Sequence, residues 1–229
     1  MSAVASPRRQ FGDGPLSRVA ARVHILLVVE ALLLATSLPG LVPLILLSRD
    51  ASNLPLVAAC AVPLGPAVSA ALHTLHHQRP DVTDLRPATV FWRGYRANLG
   101  PVLRVWLPTL AWLTVVAVNL AHLSDAGVPG WWAVLLVVVA GVVVLAGTNA
   151  LVITTLFVFR TRDVVRLALY FLVRAPLVAL GHAALLAAVA AVTAVTSEAV
   201  VALAGAVVVL ALRHIAAPMA GIIRKEWTA

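Results

Sequence analysis

The fold is decided by residues 177–217, which read LVALGHAALLAAVAAVTAVTSEAVVALAGAVVVLALRHIAA. The longest polar interruption of this apolar stretch is Thr196, Ser197 and Glu198. Some 40 helical residues would reach about 60 Å at 1.5 Å per residue, twice the ~30 Å hydrocarbon core of a bilayer. The stretch therefore predicts two membrane-spanning helices, at about 175–195 and 199–217, joined by a tight polar turn.

Four further apolar runs are long enough to cross a membrane, since a spanning helix needs roughly 17–25 mostly apolar residues. They cover residues 23–47, 54–75, 101–121 and 131–159. The sequence thus predicts an all-α polytopic membrane helix bundle with six transmembrane helices. We expect a membrane domain at 23–218, between a basic N-terminal segment at 1–22 and a short tail at 219–229.

The composition excludes several classes of protein. Of the 229 residues, 62% are apolar and 11% are charged, whereas soluble domains have about 45–50% and about 25%. A soluble globular enzyme and a disordered chain are therefore excluded. Cys60 is the only cysteine in the sequence, which excludes a disulfide scaffold.

The basic residues predict the orientation of the spans. If the N-terminus is cytoplasmic and the chain alternates sides, 16 of the 17 Lys and Arg residues lie on the cytoplasmic side, and only Arg49 lies on the other. This is the positive-inside pattern, and it places both termini in the cytoplasm. The net charge of +8 is divided among four juxtamembrane segments. We therefore expect anionic lipid headgroups on that side as the partner, and no nucleic acid.

A short basic stretch with apolar residues at helical spacing precedes each pair of spans. These stretches predict short amphipathic helices at the cytoplasmic face of the membrane. Their apolar positions are Leu16, Val19, Ala20 and Val23 in the first stretch, Phe91, Tyr95 and Leu99 in the second, and Val164, Leu167, Ala168 and Phe171 in the third. The second stretch also predicts a cytoplasmic interface, formed by Arg86, Phe91, Trp92, Arg93, Tyr95 and Arg96.

Prolines are frequent in the first two spans, at Pro39, Pro43, Pro55, Pro63 and Pro66. Each interior proline removes a backbone hydrogen bond and clashes with the preceding turn. Two interpretations remain open. The helices are broken around a binding site, as in many transporters, or they are kinked helices that pack in an ordinary bundle.

Four polar residues within the spans form the candidate intramembrane site: Glu30, Asn119, Asn149 and His182. An ionisable group inside a membrane is costly and indicates a function by default. Glu30 could be a proton or cation site, or it could pair with Arg104 or Arg174. The structural alternative is an acid hydrogen-bonded within the bundle, with Asn119, Asn149 and His182 as interhelical hydrogen-bonding groups.

His73, His76 and His77 have a spacing that could place imidazoles on one helix face for a metal, or they are ordinary residues of the membrane interface. The sequence has no G-x-x-x-x-G-K-[ST], H-E-x-x-H or G-x-S-x-G motif. We therefore expect that the protein is not an enzyme, and that it has no catalytic residues, no cofactor and no metal site.

Three motifs resemble the YesL-like bacterial integral membrane proteins of unknown function. The resemblance covers roughly residues 20–110 and depends on Ser37-Leu38-Pro39, on Leu64-Gly65-Pro66-Ala67 with Ala70-Ala71-Leu72, and on Phe91-Trp92-Arg93-Gly94-Tyr95-Arg96-Ala97-Asn98. The chain departs from the family by about 25 extra residues between the first two motifs. It also has Glu30 where many members have asparagine.

The resemblance implies a multi-pass protein of the bacterial inner membrane. Because such proteins are often encoded beside carbohydrate ABC transporters, it also implies a non-enzymatic accessory or regulatory partner of a sugar-uptake system. The partner would be a sugar ABC permease or a sensor kinase, contacted through residues 86–98. The alternative function, from the residues alone, is a small membrane transporter or channel subunit that uses the proline-broken first two spans and Glu30.

Overall fold

A computed structural model describes residues 15–48, 50–78 and 86–227. Within these ranges all regular secondary structure is helical. The helices are α1 (Pro15–Leu46), a 3-10 turn (Ala51–Asn53), α2 (Leu54–Cys60), α3 (Leu64–His77), α4 (Pro87–Ala121), α5 (Trp131–Leu156), α6 (Thr161–Arg174), α7 (Pro176–Val195), α8 (Glu198–Ala202) and α9 (Gly205–Glu226).

Six segments of the described chain are long and apolar enough to cross a membrane. They are Leu16–Leu46, Ala51–His77, Pro87–Ala121, Trp131–Leu156, Pro176–Val195 and Gly205–Glu226. Their outer surface exposes large apolar side chains such as Val137, Leu177 and Leu180, which a water-soluble bundle would replace by polar ones. The prediction of an all-α bundle with six membrane helices is confirmed, and the chain is a multi-pass membrane protein.

The second and third spans run in opposite directions. Gly94, near the start of α4, packs against His73, near the end of α3, whereas Trp106 further along α4 packs against Gly65 near the start of α3. We call the end of the bundle that holds α6, the start of α4 and the end of α9 the basic end. The other is the opposite end.

One of the three predicted interfacial helices is a separate element. This is α6, which buries Val164, Leu167, Ala168 and Phe171 as its pattern predicts. The other two are the opening turns of α1 and α4, which begin at Pro15 and Pro87. Gly100 and Pro101 stand at the predicted junction in α4, and they do not end the helix because a single proline removes only one backbone hydrogen bond.

The helix ends also differ from the predicted segment boundaries. The division at residue 23 falls inside α1, and the division at residue 219 falls inside α9. The fourth span ends at Leu156 rather than 159, because Phe157 adopts an extended backbone conformation.

Prolines act differently in the first two spans. α1 continues through Pro39 and Pro43 for 32 residues, so of the two interpretations left open the continuous helix holds for the first span. α1 tolerates both prolines because the turns on either side keep their own hydrogen bonds. The broken helix holds for the second span: α2 ends at Cys60, α3 begins at Leu64, and Pro63 occupies the N-cap of α3. A proline at the start of a helix costs little, since the first N–H groups have no helical partner.

The predicted sixth span at 199–217 is also interrupted, just before the apolar helix Gly205–Glu226, and the sequence does not predict this. α8 ends at Ala202, α9 begins at Gly205, and Leu203 and Ala204 form the turn between them. The predicted continuous helix at 199–217 is therefore replaced by two helices, the second of which extends to Glu226.

The tightest packing lies toward the basic end. Phe91 of α4, Phe171 of α6 and Met219 of α9 are fully buried there, together with Leu72 of α3. This core holds α6 against α5 and α7. Residues of these three helices form the candidate site described below.

Candidate functional site

A chain of hydrogen bonds connects α5, α6 and α7 in the half of the bundle nearer the basic end. The Asn149 Nδ2 group of α5 donates to the Ala168 carbonyl oxygen of α6 at 3.2 Å. The Asn149 Oδ1 atom lies 3.1 Å from the His182 Nδ1 atom of α7. Asn149 and His182 are each only 1% exposed. The arrangement therefore holds the imidazole in one fixed position.

This chain also fixes the tautomer of His182. A carbonyl oxygen only accepts, so the Asn149 atom that faces Ala168 is the amide nitrogen, and the atom that faces His182 is the amide oxygen. The amide oxygen in turn accepts only, so His182 Nδ1 carries the hydrogen. In the neutral imidazole Nε2 then presents a lone pair. Nε2 is buried, with no hydrogen-bond partner in the described part of the chain.

His182 lines a partly open cavity of about 400 Å³ between the helices of the bundle. The cavity follows α7 from His182 to Thr193, which is about 16 Å at 1.5 Å per residue. Its wall is mostly leucine, valine, alanine and glycine from α1, α3, α5, α7, α8 and α9. A cavity of this size and lining is typical of a small-molecule site.

The cavity lies between the two broken helices. Leu64 and Gly65, directly after the break in the second span, line it from one side. Val201, Ala202 and Gly205, around the break in the sixth span, also line it. Both interruptions of the membrane helices therefore contribute to the wall of one cavity.

At the break in the sixth span, Glu30 of α1 caps α9, the helix that follows the break. Its Oε2 atom accepts a hydrogen bond of 2.5 Å from the backbone N–H of Ala206. Ala206 is the second residue of α9, and the first amides of a helix have no partner within it. The N-terminus of a helix carries partial positive charge, so a carboxylate is stabilising there. Glu30 therefore satisfies a helix end that packs against the middle of α1.

Gly205 allows this contact. A Cβ atom on Gly205 would lie 2.8 Å from Leu33 Cδ2 and 3.5 Å from Glu30 Oε1. A methyl group at position 205 would require the Leu33 side chain to shift. The Glu30 Oε1 atom is itself buried, and no described residue offers it a hydrogen bond.

At the break in the second span, the Ala61 carbonyl oxygen accepts a hydrogen bond from the Leu64 backbone N–H at 3.2 Å, and a neutral side chain supplies a second one. The Trp106 indole N–H of α4 donates to the Ala61 carbonyl oxygen at 3.0 Å. A Cβ atom on Gly65 would lie 2.6 Å from the Trp106 ring. On the other side α1 touches the break through Gly40, where a Cβ atom would come within 1.9 Å of the Cys60 carbonyl oxygen.

The structure brings together two of the four predicted intramembrane residues, Asn149 and His182. Glu30 lies at a different place, against Ala206 rather than Arg104 or Arg174, both of which are exposed. Asn119 lies on the surface of α4 and donates to the Val115 carbonyl oxygen of its own helix at 2.7 Å. The expected interhelical role of Asn119 does not fit this contact, because the bond lies within a single helix.

The predicted cytoplasmic interface divides into a buried and an exposed part. Phe91 is fully buried in the core, so its assignment to a surface is wrong, because it fills the space against α3 and α6. Tyr95 is half-buried. Trp92, which is 43% exposed, remains on the surface. Arg86, Arg93 and Arg96 do as well.

The three histidines of α3 form no metal site. His73 and His77 stack with ring centroids 4.1 Å apart, and His77 Nδ1 lies 2.9 Å from the His73 carbonyl oxygen. Nowhere in the described ranges are three or more His, Cys, Asp or Glu side chains placed to hold a metal ion.

Sequence reasoning missed Trp106, Gly40 and Gly205 as parts of the site. Glycine and tryptophan are common in membrane helices, so none of the three carries a local signal. Their roles come from neighbours far along the chain, such as Cys60 for Gly40.

The fold and cavity define a helical multi-pass membrane protein with a partly open, mainly apolar cavity. No protein-family model matches the chain, and no curated protein or solved structure matches it either.

Proposed function

We propose that the chain is a small membrane protein of the transporter kind, which takes up a mainly apolar molecule into the cavity between its two broken helices. The observation that carries the proposal is the place of the cavity, with Gly65 beside one break and Gly205 beside the other. Broken membrane helices surround the substrate sites of many transporters, because irregular backbone is tolerated at this depth only against protein or a cavity.

The lining of the cavity argues for a binding site over an ion path. A pore must replace the hydration shell of an ion with carbonyl oxygens or charged side chains. The side chains here are almost all hydrocarbon, and none of those that line the cavity is Lys, Arg, Asp or Glu. The proposal therefore favours a transporter over a channel subunit.

Contact quenching of tryptophan tests the proposal. Trp106 lines the cavity, whereas Trp112 on the same helix is 60% exposed on the outer surface. Two chains would be prepared, each with one of these tryptophans and phenylalanine at the other five tryptophan positions. In lipid vesicles ω-bromodecanol, which quenches on contact, is expected to quench Trp106 saturably. Trp112 should be quenched only in proportion to the amount of probe in the membrane.

A cavity-filling variant provides the control. Val189→Phe with Val208→Phe places two rings in the cavity wall and should abolish saturable quenching. Val192→Phe with Val207→Phe makes the same change at exposed positions, and should leave it intact. Quenching of Trp106 that never saturates, or that is unchanged in the filled variant, would contradict the proposal.

The proposed orientation has the basic end in the cytoplasm of a bacterial inner membrane. Support comes from the exposed Arg162, Arg166 and Arg174 on α6 and from the positive-inside rule. Since Cys60 is the only cysteine, a Cys60→Ala chain can carry single probes. Arg162→Cys should react with an impermeant maleimide only after cells are opened, and Ser48→Cys should react in intact cells. The reverse pattern would contradict the orientation.

A second candidate function is the accessory role in sugar uptake that the resemblance to the YesL-like family implies. Its support is the exposed group Trp92, Arg93 and Arg96 at the start of α4. If this group contacts a permease or a sensor kinase, Arg93→Glu with Arg96→Glu should abolish copurification from native membranes in mild detergent. Arg162→Glu with Arg166→Glu is the control. Isolation of the unaltered chain alone would count against this role.

A further inference from the structure

His182 Nε2 differs from every other polar side-chain atom in the cavity wall. Among the described side chains that line the cavity, it is the one buried polar atom with no hydrogen-bond partner. Nearly all buried polar groups in folded proteins are paired, and an unpaired one is costly. Because Asn149 holds the Nδ1–H bond, Nε2 can only accept while the ring is neutral. The missing partner is therefore a donor.

The other polar side chains of the wall already donate their hydrogens to backbone carbonyl oxygens. Ser37 donates to the Leu33 carbonyl oxygen at 2.6 Å, and Trp106 donates to Ala61. Thr148 and Thr193 donate to the carbonyl oxygens four residues earlier in their own helices. The side chains of the wall thus present acceptors and no free hydrogen to a ligand.

The rest of the wall limits the charge and polarity of the ligand. It consists of leucine, valine, alanine and glycine residues, and moving a charged group into such surroundings is far more costly than moving a neutral one. A sugar would also fit poorly, because most of its hydroxyl groups would face hydrocarbon. The length of about 16 Å along α7 suits an elongated hydrocarbon body.

We infer that the cavity binds an uncharged lipophilic alcohol, with its hydroxyl group donating to His182 Nε2 and its hydrocarbon chain lying along α7 toward Thr193. This inference rests on the proposed function and adds the chemical class of the ligand. Asn149 is a positioning residue, since it acts on the ligand only by fixing the tautomer and orientation of His182.

Two probes with the same number of heavy atoms test the inference. ω-Bromodecanol can donate a hydrogen bond, whereas ω-bromononyl methyl ether can only accept one. Both would be titrated into vesicles that contain the chain with Trp106 as its single tryptophan, with concentrations expressed per lipid. The alcohol should bind about tenfold more tightly than the ether, as expected for one neutral hydrogen bond.

Variants test whether His182 causes the preference for the alcohol over the ether. His182→Phe keeps a ring in place and should reduce the ratio of the two affinities to about one, while ether binding changes by less than about twofold. Asn149→Leu should lower the ratio, because Nδ1 then has no acceptor that fixes its hydrogen. His214→Phe is the control, because His214 is exposed on α9 and should leave the ratio unchanged.

Each outcome has a distinct meaning. Equal affinities for alcohol and ether in the unaltered chain would overturn the inference and leave the proposed function standing. Tighter binding of ω-bromodecylamine than of the alcohol would overturn the inference of an uncharged ligand. Absence of saturable quenching by any probe would overturn the proposed function as well. The probe series on the unaltered chain decides the inference even if His182→Phe does not fold.

Discussion

At both breaks a side chain of a neighbouring helix forms a hydrogen bond with a backbone group at the break. At one break the side chain donates, and at the other it accepts. In the second span the break follows α2, and the neutral indole of Trp106 donates to the Ala61 carbonyl oxygen. In the sixth span the break precedes α9, and the Glu30 carboxyl group accepts from the Ala206 amide. The difference follows from helix polarity, since the C-terminal end of a helix exposes carbonyl groups and the N-terminal end exposes N–H groups. A membrane helix can therefore be interrupted when the neighbouring helix offers the complementary group.

The two breaks also differ in how closely α1 packs against them. At the second span Gly40 touches the backbone of Cys60, whereas at the sixth span Gly205 touches the side chains of Leu33 and Glu30. Backbone cannot move aside as a side chain can. The second-span break should therefore be the less tolerant of added volume.

Gly40→Ala is expected to have the largest effect. A methyl group within 1.9 Å of the Cys60 carbonyl oxygen forces α1 and α2 apart, at a cost of about 3 kcal/mol in the free energy of unfolding. The measurement is the unfolding free energy in micelles. Gly141→Ala is the control, because no atom lies within 4 Å of the added methyl group. Equal stability of the two variants would show that the close approach is absent.

Glu30→Ala should destabilise the protein by about 1–2 kcal/mol, the usual cost of losing an N-terminal cap. Glu30→Gln should cost less, about 0.5–1 kcal/mol, because the amide oxygen still accepts while the interaction with the helix dipole is lost. The free energies of unfolding of the two variants, measured in micelles, show which of them loses more stability.

Glu226→Gln makes the same change at the far end of α9, on an exposed side chain, and should not destabilise the protein. A larger loss for Gln than for Ala at position 30 would contradict the capping role.

The second-span break and the sixth-span break show what sequence can and cannot predict. Pro63 carries its own local signal, so the break between α2 and α3 is predicted from the prolines. The apolar face of α6 is predicted as well, because a helical period of apolar residues is a local property.

The sixth-span break has no such signal. Glu30 and Ala206 are 176 residues apart in the chain, and the apolar stretch around Gly205 reads as one helix. The same reason explains why Asn149 and His182 are individually predicted as polar residues in spans but not as a pair. Their contact depends on how α5 and α7 pack, which no local pattern specifies.

Trp106→Phe should cost about 1 kcal/mol, because it removes one hydrogen bond to the Ala61 carbonyl oxygen and keeps most of the ring packing. The effect should be read from unfolding in micelles beside Trp112→Phe, whose side chain is 60% exposed and which should change stability little. If both variants behave alike, the indole does not cap the break.

The smallest effect concerns the entry to the second span. Asp50 precedes the 3-10 turn and accepts a hydrogen bond of 2.8 Å from the Ser52 backbone N–H. This bond, with a further one from the Ser52 side chain, holds the pKa of Asp50 below its usual value of 3.8. A lowered pKa stabilises the fold above the unfolded-state value, and the stabilisation is lost as pH falls through the folded-state value.

Asp50→Ala should therefore lower the thermal midpoint slightly at neutral pH, and the difference from the unaltered chain should disappear as the pH falls through the lowered pKa of Asp50. Asp50→Asn retains an acceptor and should show a smaller difference at neutral pH. If the difference in thermal midpoint between the unaltered chain and Asp50→Ala grows on acidification, the pKa of Asp50 is not lowered in the folded protein.

Photolabelling tests most directly the claim that both breaks form the wall of one ligand cavity. A long-chain alcohol that carries a diazirine in its hydrocarbon chain would be bound to the chain in vesicles, irradiated, and mapped by peptide sequencing. We predict that labels compete with unlabelled alcohol and fall on Leu64 or Val68 beside one break, and on Val201 or Ala202 beside the other. Labels confined to outward-facing residues such as Val137 and Leu177, with no competition, would contradict the account.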